Sequence, residues 1–180
     1  ELSKLGNRLA FTTDSYVVDP IFFPGGDIGS LAVNGTVNDL AVGGAIPLYL
    51  SCSLIIEEGF AADDLRRIIN SMKLAADRAG GMLGTGDTKV VNKNACDKIF
   101  INTAGIGVIP ENIDSGASKI QDGDLVILSG AAGAHGACIL AARADLKLMA
   151  EIKSDCRSLN RLTAAMQHSG CRIHAMRDAT

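Results

Sequence analysis

The sequence predicts an α+β fold whose sheet is not purely parallel, and three observations predict it. Strand-like and helix-like patterns follow one another in the order strand, helix, strand, helix, strand, strand, which is not the strict alternation of a doubly wound sheet. Tyr49 to Ile56 alternates with a period of two, and the stretch that follows repeats its apolar residues at helical spacing from Leu65 to Ala79. Met82–Val91 and Lys98–Ile109 are both strand-like and are separated by the polar turn Asn92-Lys93-Asn94, which reads as a hairpin.

Taken in order, Leu9 to Val18 is rich in aromatic and β-branched residues and predicts a strand with Asp14 at its centre. Asp is depleted in strands, so Asp14 is the exception there. Asp19-Pro20 ends the strand, and Asp27 is the expected N-cap of a helix whose apolar face runs Ile28, Leu31, Ala32, Gly35 and on toward Leu40. That helix should end near Gly43-Gly44, with Pro47 beyond it. Gly35, Ala41, Gly43, Gly44 and Ala45 have almost no side-chain volume, which invites close approach by a backbone or a ligand and costs helix stability.

Leu50, Cys52, Leu54 and Ile56 form the more apolar face of the next strand, and the helix after it carries Asp63 and Asp64 in its first turn and stops at Gly80-Gly81. Beyond Pro110 a polar connector, Glu111 to Gln121, leads to the apolar run Leu125-Val126-Ile127-Leu128, read as a strand, and then to a glycine-rich loop and a helix through Ile139 and Leu140. Another helix is expected at about Leu159 to Gln167. The change in texture divides the chain into residues 1–114, an N-terminal domain, and residues 115–180, the first part of a second one.

Composition narrows the function classes. A net charge of -3, with no Lys/Arg cluster, gives no electrostatic footprint for nucleic acid. No apolar run approaches the ~18 residues that span a bilayer, and the opening Glu-Leu-Ser-Lys-Leu-Gly-Asn-Arg lacks the apolar core of a signal peptide. A cytoplasmic protein without membrane contact is expected. Five cysteines, widely spaced and with no CxxC pair, argue against a disulfide framework or a zinc site. The chain starts without Met at Glu1 and stops at Asp178-Ala179-Thr180, and both ends read as cuts.

Three carboxylates sit among small hydroxyl or amide side chains: Asp14 between Thr13 and Ser15, Asp39 beside Asn38 and near Thr36, and Asp87 between Gly86 and Thr88. Such groups bind phosphate oxygens and metal-bound waters, and paired carboxylates hold Mg²⁺ against substrate phosphates. Lys89 should emerge on the same strand face as Asp87, where it can meet phosphoryl charge or handle a proton. Each has a structural alternative. Asp87 suits a turn, Asp14 a contact with Arg8 or a lysine, Asp39 a helix end with no basic neighbour, and Lys89 a solvated surface. The loop Gly130 to Gly136 has the Gly-x-x-Gly-x-x-Gly spacing of an anion cradle, where His135 either faces a phosphate or caps the helix.

The same residues carry a family resemblance. Phe-Thr-Thr-Asp-Ser-Tyr-Val-Val (11–18), Phe-Phe-Pro-Gly-Gly-Asp-Ile-Gly (22–29), Gly-Thr-Val-Asn-Asp-Leu-Ala-Val-Gly-Gly-Ala-Ile-Pro (35–47), Thr-Gly-Asp-Thr-Lys-Val-Val (85–91) and Met-Arg-Asp-Ala-Thr (176–180) resemble the HypE carbamoyl dehydratases of hydrogenase maturation. More broadly they are similar to the ATP-dependent superfamily of aminoimidazole ribonucleotide synthetase, selenophosphate synthetase and thiamine-monophosphate kinase.

The resemblance implies a PurM-like N-terminal domain, a mixed and mainly antiparallel sheet backed by helices, that forms a homodimer and binds ATP with Mg²⁺. It implies Asp14, Asp39 and Asp87 as metal ligands, Thr13, Ser15, Thr36, Asn38, Gly86, Thr88 and His135 as nucleotide contacts, and Lys89 with Asp39 as catalytic residues. The reaction implied is ATP-dependent dehydration of a C-terminal S-carbamoyl-cysteine to a thiocyanate, which supplies the cyanide ligand of a nickel-iron centre. The partners implied are the carbamoyltransferase HypF and the HypC-HypD complex. Two departures stand out: Ala134 replaces the family's Asp before His135, and Leu48 stands where a basic residue is common. The alternatives are another synthetase or small-molecule kinase of the superfamily, or a non-catalytic dimerisation or docking fragment.

Overall fold

The computed structural model describes residues 8–144 and 152–179. The first seven residues, part of the stretch read for a signal sequence, and Thr180 lie outside the described residues. Strand β1 (Arg8–Tyr16) is followed by a small ribbon of β2 (Phe22–Phe23) and β3 (Gly26–Asp27), helix α1 (Ile28–Val42), β4 (Ile46–Glu57), α2 (Ala62–Ala79), β5 (Met82–Val91) and β6 (Ile99–Ile109). Helices α3 (Ala134–Arg143) and α4 (Asn160–His168) come later, after a 3₁₀ turn at Ala117–Lys119.

The main sheet has the order β1-β6-β4-β5, antiparallel except for the β4–β5 pair. The fold is therefore α+β with a mixed, mainly antiparallel sheet backed by helices. The expected hairpin between β5 and β6 does not form. β6, with Ile99, Ile101 and Thr103 buried along one face, inserts between β1 and β4, while β5 takes the edge beside β4. The physical reason lies in the composition of β5: Gly84, Thr85, Gly86, Asp87, Thr88 and Lys89 are all exposed, which suits an edge strand and not a central one.

One irregularity sets the faces of β5. Leu50 pairs with Leu83 but Ser51 pairs with Thr85, so Gly84 is an extra residue on β5, a bulge. Beyond it, Asp87 sits opposite Ser53 and Lys89 opposite Ile55.

Asp27 caps α1 as expected. Its carboxylate accepts from the amides of Gly29 and Ser30, and Ser30 Oγ closes the reciprocal bond to the Asp27 amide at 3.0 Å. Ile28, Ala32, Val33, Val37 and Leu40 of α1 are all buried to within 1% of complete. The helix is flush against the sheet because β6 is glycine there: a Cβ on Gly105 would lie 2.9 Å from both Thr36 Cγ2 and Leu40 Cδ1. Helix α2 covers the core through Ile68, Met72 and Ala76, and ends at Gly80 in the left-handed conformation (φ 73°) that glycine adopts without strain.

The apolar run Leu125–Leu128, read as a strand, is irregular and 69–92% exposed. A strand needs a neighbour to satisfy its backbone, and no described segment pairs with this one.

Candidate functional site

A groove of about 690 Å³ opens between the end of β1 and the C-terminal half of α1. Its polar walls are Thr12 and Asp14 from β1, Asp39 from α1, Ser115, and Arg177 and Asp178 from the irregular 171–179 segment. Alternation along β1 explains the first pair, since Thr12, Asp14 and Tyr16 share the helix-facing side of the strand. Thr12 Oγ1 donates to Asp39 Oδ2 at 2.9 Å and fixes that carboxylate. Burial pushes the Asp39 carboxyl above the usual range. The Thr12 bond opposes this, the charges of Asp178 and Asp14 reinforce it, and Arg177 pulls the other way. Asp39 therefore has a basic residue nearby, contrary to the sequence reading, on a segment more than a hundred residues away.

Tyr16, 8% exposed, follows Asp14 on the same side of β1, and its ring packs on Gly35. The close approach invited by the small residues of α1 is made here by a side chain of the same chain. Among the described residues Tyr16 Oη has no hydrogen-bond partner of good geometry. Burial, resisted by Thr36 and reinforced by Asp14, drives the phenol pKa up, so the hydroxyl stays protonated.

Asp87 is not part of this cluster within one chain. It lies on the edge strand, three strand spacings from β1 or roughly 14 Å, and in the outer row Ser15–Asn102–Ser53–Asp87. Among the described residues no group of three or more His, Cys, Asp or Glu is placed to hold a metal. Asp87 is paired with Lys89, whose Nζ is 2.6 Å from Oδ2, and accepts from the Thr88 amide at 2.9 Å. Lys89 and the Thr88 amide together hold its carboxyl below the usual range. Lys89 does share a face with Asp87, as expected from their spacing.

Other residues read as nucleotide contacts have different surroundings. Thr36 is completely buried, its hydroxyl bonded to that of Thr103. The Asn38 amide is used at both ends, Nδ2 donating to Arg157 O at 3.0 Å and Oδ1 accepting from the Leu159 amide at 2.7 Å, which clamps the 157–159 segment to α1. Both do structural work, because an amide or hydroxyl that suits a phosphate suits a distant backbone equally well. Thr13 and Ser15 lie on the open face of the sheet, bridged by Asn102 Nδ2. Gly86 permits close strand contact, since a Cβ there would meet Cys52 O at 2.5 Å. His135 is away from the groove. It packs edge-on against Phe23 at 5.2 Å and pairs with Ser154 Oγ, and burial lowers its pKa. Arg8 bonds to Pro110 O and Ile113 O, not to Asp14. Arg177 and Asp178 were missed as site residues, although the Met-Arg-Asp-Ala-Thr stretch signalled them.

Among the described residues no helix covers the other face of the sheet, which exposes Leu9, Phe11, Tyr49, Met82 and Ile106 at 42–71%. Beside this apolar band lie Thr13, Ser15, Asn102, Ser53 and Asp87.

The family described as AIR synthase related protein, N-terminal domain, matches residues 2–109, and the chain belongs to it. Within that family the chain resembles one kind of protein in particular. It is 54% identical over 179 residues to the carbamoyl dehydratase HypE of Rhodobacter capsulatus, covering 99% of this chain and 53% of the relative. The crystal structure of Escherichia coli HypE, a hydrogenase maturation protein, superposes with a TM-score of 0.96 at 52% identity, covering 99% of this chain and 55% of that one. A HypE structure in complex with ATP superposes at 0.93 with 50% identity (97% and 52% covered), and a HypE-HypF complex at 0.92 with 48% (94% and 56%). The chain thus spans about half the length of the curated relatives it matches.

Proposed function

We propose that this chain is the ATP-binding part of a carbamoyl dehydratase of hydrogenase maturation, which converts a C-terminal S-carbamoyl-cysteine into a thiocyanate. The observation that carries the reading is the convergence of Asp14, Asp39, Thr12 and Arg177 on one groove, in a chain about half identical to proteins of that name.

The donor set fits Mg²⁺. This ion keeps several waters and takes one or two carboxylates along with substrate phosphates, and Asp14 and Asp39 supply two hard oxygen donors in a groove rich in negative charge. Bound MgATP supplies the phosphoryl group that makes the amide oxygen a leaving group. Thr12 orients Asp39, and Arg177 offers positive charge to phosphate oxygens. On the sheet's other face Lys89, held by Asp87, offers its positive charge to the phosphoryl charge that develops on the carbamoyl group.

The open sheet face supports a homodimer in which the sheets of two protomers pair. An apolar band of this kind is more than a monomer ordinarily leaves in water, and pairing would bring Asp87 and Lys89 to the seam. HypF and the HypC-HypD complex are the proposed partners and the cytoplasm the proposed compartment. Among the described residues no helix is long and apolar enough to cross a membrane. Calorimetric titration of the full-length protein with ATP, with and without Mg²⁺, tests the reading. Asp39→Asn should weaken Mg-dependent binding by about tenfold or more, a loss of about 1.4 kcal/mol. An unchanged affinity would remove Asp39 from the site.

A further inference from the structure

The 171–179 segment has no regular secondary structure, yet it delivers Arg177 and Asp178 to the groove. Something must fix its position, and the hydrogen bonds converge on one residue, three positions before Arg177. The His174 carbonyl accepts from the Gly116 amide at 2.8 Å, and Gly116 itself lines the groove. His174 Nδ1 lies 2.8 Å from both carboxylate oxygens of Asp124. Arg172 Nε donates to His174 Nε2 at 2.8 Å, so Nε2 carries the lone pair and Nδ1 the proton that Asp124 receives. Asp124 is itself immobilised, because its Oδ2 accepts from the Gln121 amide at 2.9 Å and closes the 121–124 turn. The imidazole is only 17% exposed.

We propose that His174 is a positioning residue: locked between Asp124 and Arg172, it sets the register of the 171–179 strap so that Arg177 and Asp178 face Asp39. Both ring nitrogens and the carbonyl are engaged, so the residue cannot rotate without breaking several bonds. A shift of one residue in the strap would put Met176 or Asp178 in the place of Arg177 and so remove or reverse the positive charge presented there to a ligand. For its consequence on ligand affinity the inference rests on the nucleotide reading of the groove. For its consequence on the strap it does not.

The test uses the full-length protein and two readouts. Hydrogen exchange of the peptide covering 171–179 should rise about tenfold in His174→Ala, the exchange measure of a locally opened segment. The same substitution should raise the Kd for MgATP about tenfold while the melting temperature of the domain stays within about 2 °C of wild type. His174→Asn keeps an N–H donor where Nδ1 stands and should restore both readouts to within about threefold. Asp124→Ala should reproduce His174→Ala. Unchanged exchange in His174→Ala would overturn the proposal, as would failure of the Asn variant to rescue accompanied by a general fall in melting temperature. If the wild-type protein fails to bind MgATP, the functional reading falls, and the exchange readout alone decides the latch.

Discussion

Replacing Gly35 by Ala tests whether the small residues of α1 exist to seat Tyr16. A Cβ at this position would stand 2.1 Å from Tyr16 Oη and 2.9–3.0 Å from Cζ and Cε1, where ordinary contact begins at 3.4 Å. Tyr16, 92% buried, would have to retreat by roughly 1.3 Å at its hydroxyl end. Ala gains about 1 kcal/mol over Gly as a helix former, while overpacking costs about 1–3 kcal/mol. The contact is close enough to put the cost at the upper end, which leaves a net loss of about 2 kcal/mol, or a fall in Tm of about 4–8 °C for a chain of this size. Tyr16→Phe supplies the control. It removes a buried hydroxyl that has no partner among the described residues, so by itself it should be close to neutral, and in the double variant the nearest obstruction becomes Cζ at 2.9 Å. Thermal and urea unfolding of the four proteins should give a favourable coupling of about 1 kcal/mol. A Gly35→Ala protein as stable as wild type, or a coupling near zero, would refute the account of Gly35 as the seat of Tyr16.

The remaining predictions are more compact. Burial beside Phe23 holds the His135 pKa below its ordinary value, opposed by Asp155, so the neutral ring stabilises the fold at pH values above the unfolded pKa and that contribution disappears as pH falls through the folded one. Melting at pH 7 and pH 5 should show a drop that His135→Gln reduces, and an equal drop in both proteins would count against it. Asn38→Ala removes two hydrogen bonds and should cost about 1–3 kcal/mol, with faster hydrogen exchange at 157–160 than at α2 in the same sample. Phe11→Glu places a charge in the open apolar band, and sedimentation should show monomers where wild type sediments as a dimer.

Much of the fold was legible because periodicity reports which face of an element is buried. Asp27 as a cap, the Gly80 stop and the alternation of β4 all follow from rules that act within a few residues. Strand order is different. β5 and β6 looked like a hairpin because they are adjacent with a short polar turn, whereas their places in the sheet are set by how much apolar surface each can bury, a comparison between strands that no single window contains. Leu125–Leu128 has the composition of a strand, but composition supplies no neighbour. At the site, Asp14 and Asp39 stood out as carboxylates in odd places and do meet. Asp87 stood out for the same reason and lies elsewhere, since local oddity carries no distance. Thr36 and Asn38 show the converse limit, with groups suited to a ligand already engaged by Thr103, Arg157 and Leu159.

The bulge at Gly84 has a consequence for chemistry as well as for shape. Were Ser51 paired with Gly84, as strict register requires, every later residue of β5 would change sides. Asp87 would then pair with Leu54 and turn toward the helices, with Lys89 following it, while Gly86 and Thr88 took the open face. One inserted residue therefore acts as a parity bit for the strand. It decides that the Asp87–Lys89 ion pair is presented to whatever meets the bare sheet, and it does so through a glycine whose absent side chain touches neither member of the pair.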